Sequence, residues 1–318
     1  MSGLRAAIRS ARPVLTAELG PPRDADPKAV LDKAAILRGW VDAANVTDNQ
    51  GANVRMSSLA ASVLALRAGL EPVMQLTCRD RNRMALQSDL LGAAALGVPN
   101  VLLLTGDHPT LGDHPESRPV FDLDGVQLTW AARTLRDEGT NLAGRPLTHR
   151  PDYLIGTVEN PFAAPTGLRA RRLAKKVAAG AEFVQTQYVF DVAGFARWMD
   201  GVRELGVTER CAVLAGVGPI RSLRMHEFLS TKVPGLFVPE AVGRRLRGVP
   251  PDRVAEEGLR ICVETIHELL AIPGVGGVHV MAVGNEAVVP EIAHRAGIGP
   301  STDPVVGASE QEGSAHAG

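Results

Sequence analysis

A carboxyl group or an amide closes one apolar run after another in this chain. The clearest case is Glu18, at the end of Val14-Leu15-Thr16-Ala17-Glu18. Gly20, Pro21 and Pro22 stop that run and hold the acid at its end, where a fixed carboxyl group can give or take a proton. The same layout returns at Val46-Thr47-Asp48, Gln75-Leu76-Thr77, Leu104-Thr105-Gly106-Asp107 and Gln185-Thr186-Gln187. Asp107 is a second acid, placed behind a glycine that lets backbone approach a ligand closely. Gln187 can donate and accept at once, which suits a heterocycle with mixed hydrogen-bonding edges. Thr47, Asp48, Asn49, Gln75 and Thr77 make a polar rim able to hold a cofactor.

Plainer readings stand beside these. Glu18 could pair with Arg23, Asp107 could start the turn before Pro109, and Gln187 could be a polar group satisfied by backbone. Lys176 could meet a phosphate, but basic runs such as Arg171 to Lys176 usually form a solvated helix face. Two Asp-His pairs, Asp107-His108 and Asp113-His114, raise the question of a metal. Their loop is broken by Pro109, Pro115 and Pro119, so the spacing fixes no ligand geometry and no metal site is expected. Cys78 has no histidine near it in sequence and reads as a small buried thiol rather than a nucleophile.

Residues at run ends can meet only if the runs lie side by side. Eight apolar, β-rich runs occur at 14–18, 41–47, 72–77, 100–105, 153–158, 182–187, 212–217 and 277–282. Helical spacing of apolar residues fills 28–39, 82–96, 167–179, 191–205 and 252–270, the second after Asn82 as a cap. Strand and helix in alternation predict an α/β fold, a single (β/α)8 TIM barrel with its active site at the carboxyl ends of the strands. No Gly-x-Gly-x-x-Gly follows the first run, which removes the main support for a dinucleotide-binding sheet. The expected division is an N-terminal extension at 1–12, the barrel at 13–298 and a disordered tail at 299–318, rich in Gly, Ser, Ala and Glu. The loop from Asp107 to about Asp124 is long enough to act as a lid or cofactor clamp.

The totals agree. The 318 residues exceed the roughly 250 a barrel needs. Hydrophobic residues make up 45% and charged residues 22%, enough apolar content for a substantial core. A net charge of −1 gives nothing to draw the chain to nucleic acid or an anionic membrane. Three scattered cysteines are too few for a disulfide framework. With no signal-peptide pattern and no apolar run of about 18 residues, a cytoplasmic location is expected.

At these residues the chain resembles the methylenetetrahydrofolate reductase family, from about residue 13 to 298. The motifs are Glu18-Leu19-Gly20-Pro21-Pro22-Arg23, Val46-Thr47, Gln75 to Asp80, Leu104 to Asp107, Ala179-Gly180-Ala181 and Thr186-Gln187. The phrases Thr77 to Arg83, Leu86 to Gly92 and Pro119 to Asp124 look most like a subgroup found beside corrinoid-dependent methyl-transfer systems. The resemblance implies a barrel that binds a flavin, FAD or FMN, with NADH or NADPH as electron source. It implies that Glu18 is the general acid that opens 5,10-methylenetetrahydrofolate to an iminium, and that Asp107 lies near flavin and pterin. It places Thr47, Asp48, Gln75, Thr105, Gly106, Asp107, Phe121, Asp122, Arg172 and Lys176 around the cofactor, and Gln187 and Leu223 on the folate. Gln75 stands where the better-known bacterial members have histidine, Arg169 and Arg172 where an acid and an amide are usual, and Leu223 in place of an aromatic. Three alternatives stay open: a flavin-free relative, the reverse oxidation of 5-methyltetrahydrofolate, and a non-catalytic partner of a methyltransferase or electron-transfer subunit. A homo-oligomer is equally compatible.

Overall fold

The computed structural model describes residues 2–300 apart from Ala11, Pro234 and Val283. Eight parallel strands close into a barrel in sequence order. They are β1 (Val14–Leu19), β2 (Ala43–Val46), β3 (Pro72–Thr77), β4 (Asn100–Leu104), β5 (Leu154–Glu159), β6 (Phe183–Tyr188), β7 (Ala212–Val217) and β8 (Val275–Val280). β8 returns to β1 with Leu15 beside Val278 and Ala17 beside Val280, which closes the sheet and leaves no edge. Every expected run is a strand, within two residues at either end.

Five helices match the sequence pattern closely: α2 (Pro27–Leu37), α4 (Arg83–Ala95), α6 (Arg169–Ala179), α7 (Val192–Glu204) and α10 (Val254–Leu270). Six more appear: α1 (Gly3–Ile8), α3 (Ser58–Arg67), α5 (Gly125–Arg133), α8 (Leu223–Thr231), α9 (Glu240–Arg247) and α11 (Val289–Ala296). Local chemistry starts several of them. Asp26 caps α2 with Pro27 as its first residue, Asn82 caps α4, and Asp124 with Gln127 forms a reciprocal capping box on α5. No described helix is long and apolar enough to cross a membrane. The tail expected at 299–318 lies, from residue 301 onward, outside the described residues.

Side chains alternate along each strand, so the barrel has two cores. Leu15, Ala17, Val46, Val184, Val213 and Val280 face the helices in one outer cluster, and Met74, Leu76, Val101, Leu103 and Ile155 do so in a second. Their neighbours point inward. At the amino end the inward set is apolar: Val14, Ala43, Val73, Leu102, Leu154, Phe183 and Leu214, closed by Leu4 and Ala7 of α1. The stretch expected as an extension thus supplies a stopper to the barrel. Phe183 fills the axis because β5 carries Gly156 opposite it. A Cβ at Gly156 would stand 2.1 Å from the phenyl ring. Above this layer the inward positions turn polar: Thr16, Asn45, Gln75, Gln185 and His279.

Candidate active site

A cavity of about 580 Å³ opens at the carboxyl ends of the strands. Glu18, Gln75, Asp107 and Gln187 all line it, from four different strand ends or the loops just beyond. Asp48 and Gly106 line it too. Met225, Phe228 and Leu229 of α8 add an apolar side. Two hollows on the outer surface are larger, about 740 and 620 Å³. One lies along α3 and the turns before α2 and α3, and the other near the barrel's amino end, away from the strand-end acids.

Glu18 is nine-tenths buried. Its Oε2 accepts from Gln50 Nε2 at 3.3 Å, and its Oε1 lies 3.9 Å from His279 Nε2. Asp107 is exposed, and no described residue holds its carboxylate in a hydrogen bond. Gln187 accepts from the Tyr188 N–H through Oε1 at 2.9 Å. What it offers the cavity is therefore its amide NH2, a pure donor. Gln75 is half-buried with its amide free among the described residues.

Other residues of the expected site are engaged elsewhere. The Asp48 carboxylate accepts from Thr77 N and Oγ1, both at 2.9 Å, and from Arg81 at 2.8 Å. It braces the end of β3 and has little capacity left for a ligand. Thr105 Oγ1 accepts from Gly125 N and so holds the start of α5. Gly106 has φ +90°, and a Cβ there would press on Thr77. Phe121, at φ +40°, lies outside the cavity lining and stacks on His108 with ring centroids 6.1 Å apart. Asp122 chelates Arg83 through backbone and guanidinium, which holds its carboxyl down at about 2. Lys176 is buried and bonds to Val158 O and to Glu159 Oε2, with Arg169 3.6 Å from the same carboxylate. Burial lowers its pKa, outweighing the pull of Glu159. Arg172 points outward from α6. Leu223 is 43% exposed and does not line the cavity, whereas Met225 and Phe228 of the same helix do. Thr47 is buried with Oγ1 unpartnered among the described residues. Burial pushes the Cys78 thiol up to about 12, in keeping with an inert side chain.

The long loop after β4 folds over the mouth's edge. Asp113 accepts from Val54 N at 3.2 Å, and Val120 N and Phe121 N donate to Arg79 O and Cys78 O. Gly112 lies so near Ala52 that a Cβ would sit 1.8 Å from its carbonyl oxygen. Among the described residues no group of three or more His, Cys, Asp or Glu is placed to hold a metal ion.

Asn45, Gln50, Gln185, Met225, Phe228 and His279 also line the cavity, with Thr16 bonded beneath them, and none is among the residues expected at the site. The spacing of Met225, Phe228 and Leu229 at i, i+3 and i+4 was a signal for an apolar helix face. The others are polar residues far apart in sequence, and only barrel closure brings them together.

A closed parallel barrel that gathers an acid, a free carboxylate and an amide donor over an apolar wall defines a (β/α)8 protein with a polar, acid-bearing cavity at its carboxyl face. Comparison with known proteins narrows the class. The sequence profile described as methylenetetrahydrofolate reductase matches residues 3–297, and the chain belongs to that family. The probable methylenetetrahydrofolate reductase (NADPH) of Caenorhabditis elegans is 26% identical over 249 residues, which cover 76% of this chain and 34% of that protein. The 5,10-methylenetetrahydrofolate reductase of Pectobacterium carotovorum is 23% identical over 289 residues, 89% of this chain and 90% of that one. The chain thus spans about a third of the C. elegans relative, 34%, and nearly all of the bacterial one. Among solved structures, a Clostridium thermocellum protein that binds two copies of 5-methyl-5,6,7,8-tetrahydrofolic acid shares the fold. It has a TM-score of 0.64 at 13% identity, over 91% of this chain and 97% of that one.

A flavin fits part of this site. The free amide of Gln75, the free carboxylate of Asp107 and the bare backbone at Gly106 suit the polar edge of a flat ring, and the Thr47 hydroxyl, buried without a partner among the described residues, lies outside the cavity lining. The charged groups expected around the rest of the cofactor, Asp122 and Lys176, are spent on internal pairs.

Proposed function

We propose that this chain reduces 5,10-methylenetetrahydrofolate to 5-methyltetrahydrofolate, with Glu18 as general acid. The observation that carries the reading is a nearly buried carboxyl group at the end of β1 sharing one cavity with Asp107 and Gln187. Glu18 gives its proton to a nitrogen of the five-membered ring, and the ring opens to an iminium. A hydride then adds to the exocyclic methylene carbon, giving the N-methyl group. When bound, a reduced flavin recharged by NADH or NADPH would supply that hydride, and Gln75, Gly106 and Asp107 would hold its ring. Gln187 donates its amide hydrogens to a pterin acceptor and fixes the folate's orientation. Met225 and Phe228 exclude water from one side of the reacting carbon. A neighbour of the same fold that binds 5-methyltetrahydrofolic acid supports the choice of ligand.

Substituting Glu18→Gln tests the acid. Folate reduction falls by about 10²–10⁴-fold, the usual worth of a general acid, while nicotinamide oxidation with an artificial acceptor and the melting temperature hold. Normal folate turnover by this variant overturns the assignment. A second reading, hydride passed straight from nicotinamide to folate, is favoured by the internal pairing of Lys176 and Asp122. The visible spectrum of the purified protein separates the two. Flavin bands support the first, and a colourless protein active with NAD(P)H supports the second.

A further inference from the structure

Beneath Glu18 lies a buried line of polar side chains that the reaction outlined above does not use. Asn45 and Gln185 exchange two hydrogen bonds, Asn45 Nδ2 donating to Gln185 Oε1 and Gln185 Nε2 donating to Asn45 Oδ1. The same Gln185 nitrogen donates to Thr16 Oγ1 at 3.1 Å. Thr16 Oγ1 lies 3.0 Å from His279 Nδ1, and His279 Nε2 lies 3.9 Å from Glu18 Oε1. Thr16, Asn45, Gln185 and His279 are each no more than 3% exposed.

With the Asn45 and Gln185 amides oriented as they stand, donor and acceptor counting sets the ring. Gln185 occupies one lone pair of the Thr16 oxygen, so the hydroxyl proton needs an acceptor, and His279 Nδ1 is the one within reach. A neutral imidazole that accepts on Nδ1 carries its proton on Nε2. That N–H faces the acid. We propose that His279 is the positioning residue of Glu18, locked as the Nε2–H tautomer by Thr16 and the Asn45–Gln185 amide pair. It directs a donor at Oε1 and fixes the carboxyl group's orientation toward the cavity. After proton donation the carboxylate then meets a donor on each oxygen, His279 on Oε1 and Gln50 on Oε2. Catalytic contacts that are long in a ligand-free site commonly tighten when substrate binds.

The inference rests on the reading of Glu18 as general acid, and its test separates the two. Nitrogen-15 NMR of the histidine rings in the full chain, with the His279 signal identified by its loss in His279→Leu, reads the tautomer without any substrate. The expected result is a neutral Nε2–H ring in the wild type and a shift toward Nδ1–H in Thr16→Val, which removes the hydroxyl while keeping the side chain's shape. A wild-type ring protonated on Nδ1 overturns the proposal. So does a Thr16→Val ring unchanged from wild type. In steady-state folate reduction, His279→Leu lowers kcat by about 10–100-fold, the cost of a misplaced catalytic group, with KM for folate nearly unchanged. His279→Gln, which restores an N–H donor, recovers most of it. An unchanged kcat in His279→Leu overturns the proposal even if the tautomer is as expected. Failure of Glu18→Gln to affect folate turnover overturns the assignment of the acid and leaves the tautomer result to stand.

Discussion

The two ends of this barrel are built from the same alternating strands and treat their polar groups in opposite ways. At the amino end the side chains of Ser2, Glu71 and Asn100 are saturated by one another and by backbone. Glu71 accepts from Gly3 N at 2.7 Å, Leu4 N at 2.9 Å and Asn100 Nδ2 at 2.8 Å. Its carboxylate caps the start of α1, and the charge also complements the helix dipole. Above that cap, Phe183 and the inward aliphatic residues shut the axis. At the carboxyl end Asp107, Gln75 and the amide nitrogen of Gln187 are left open to the cavity. Unmet hydrogen-bonding capacity in a fixed place is binding capacity, and saturated capacity is stability. By that measure Asp48, Thr105, Asp122 and Lys176 belong with the amino end although they sit near the mouth.

The comparison is most sharply broken by emptying the plug. Phe183→Ala removes the ring that fills the space left by Gly156, and the destabilisation expected for such a core truncation is about 3–5 kcal/mol. Urea denaturation reads it, and turnover per folded molecule should stay near wild type. A loss of turnover without loss of stability would mean that the plug acts on the site directly.

Lys176→Met asks whether a charged residue near the mouth serves the fold or a ligand. The buried Glu159 would keep Arg169, at 3.6 Å, as its remaining cation. Breaking a buried ion pair costs roughly 3–5 kcal/mol, and the second cation reduces that to about 2 kcal/mol. Denaturant titration should show this loss, with cofactor affinity unchanged. Unchanged stability with weakened cofactor binding would return Lys176 to the cofactor.

The sequence made the strands plain for the reason it hid the lower half of the site. Short apolar, β-rich runs mark a strand locally, so all eight are legible in the sequence, and so are capped periodic helices such as α4. α1 is only six residues long, so its role as a stopper emerges only against the closed barrel. Glu18, Asp107 and Gln187 stood out because they end apolar runs. Thr16 and His279, by contrast, are 263 positions apart and Thr16 and Gln185 are 169 apart. Thr16 and His279 are lone polar residues in apolar runs until barrel closure joins β1 to β8 and faces both toward β6. Residues such as Asp122 and Lys176 show the converse limit. Motif matching can place a side chain near a site, but which partner it takes depends on the groups that surround it after folding.

Asp122→Asn probes the saturated class at its most exposed member. In the folded chain Arg83 holds this carboxyl at about 2, below its ordinary value. The folded state therefore binds the proton more weakly than the unfolded one, and the ion pair's contribution is complete above the ordinary carboxylate range. It fades as pH falls through that range toward about 2. Melting temperature followed against pH should show wild type above Asp122→Asn by a small constant margin from neutral pH to about 5, in line with an exposed pair. The two curves should then converge in strong acid. Cofactor affinity should be the same in both proteins. A margin that persists to the lowest pH would show that Asp122 stabilises the loop by something other than its charge, and a change in cofactor affinity would move it from the saturated class to the open one.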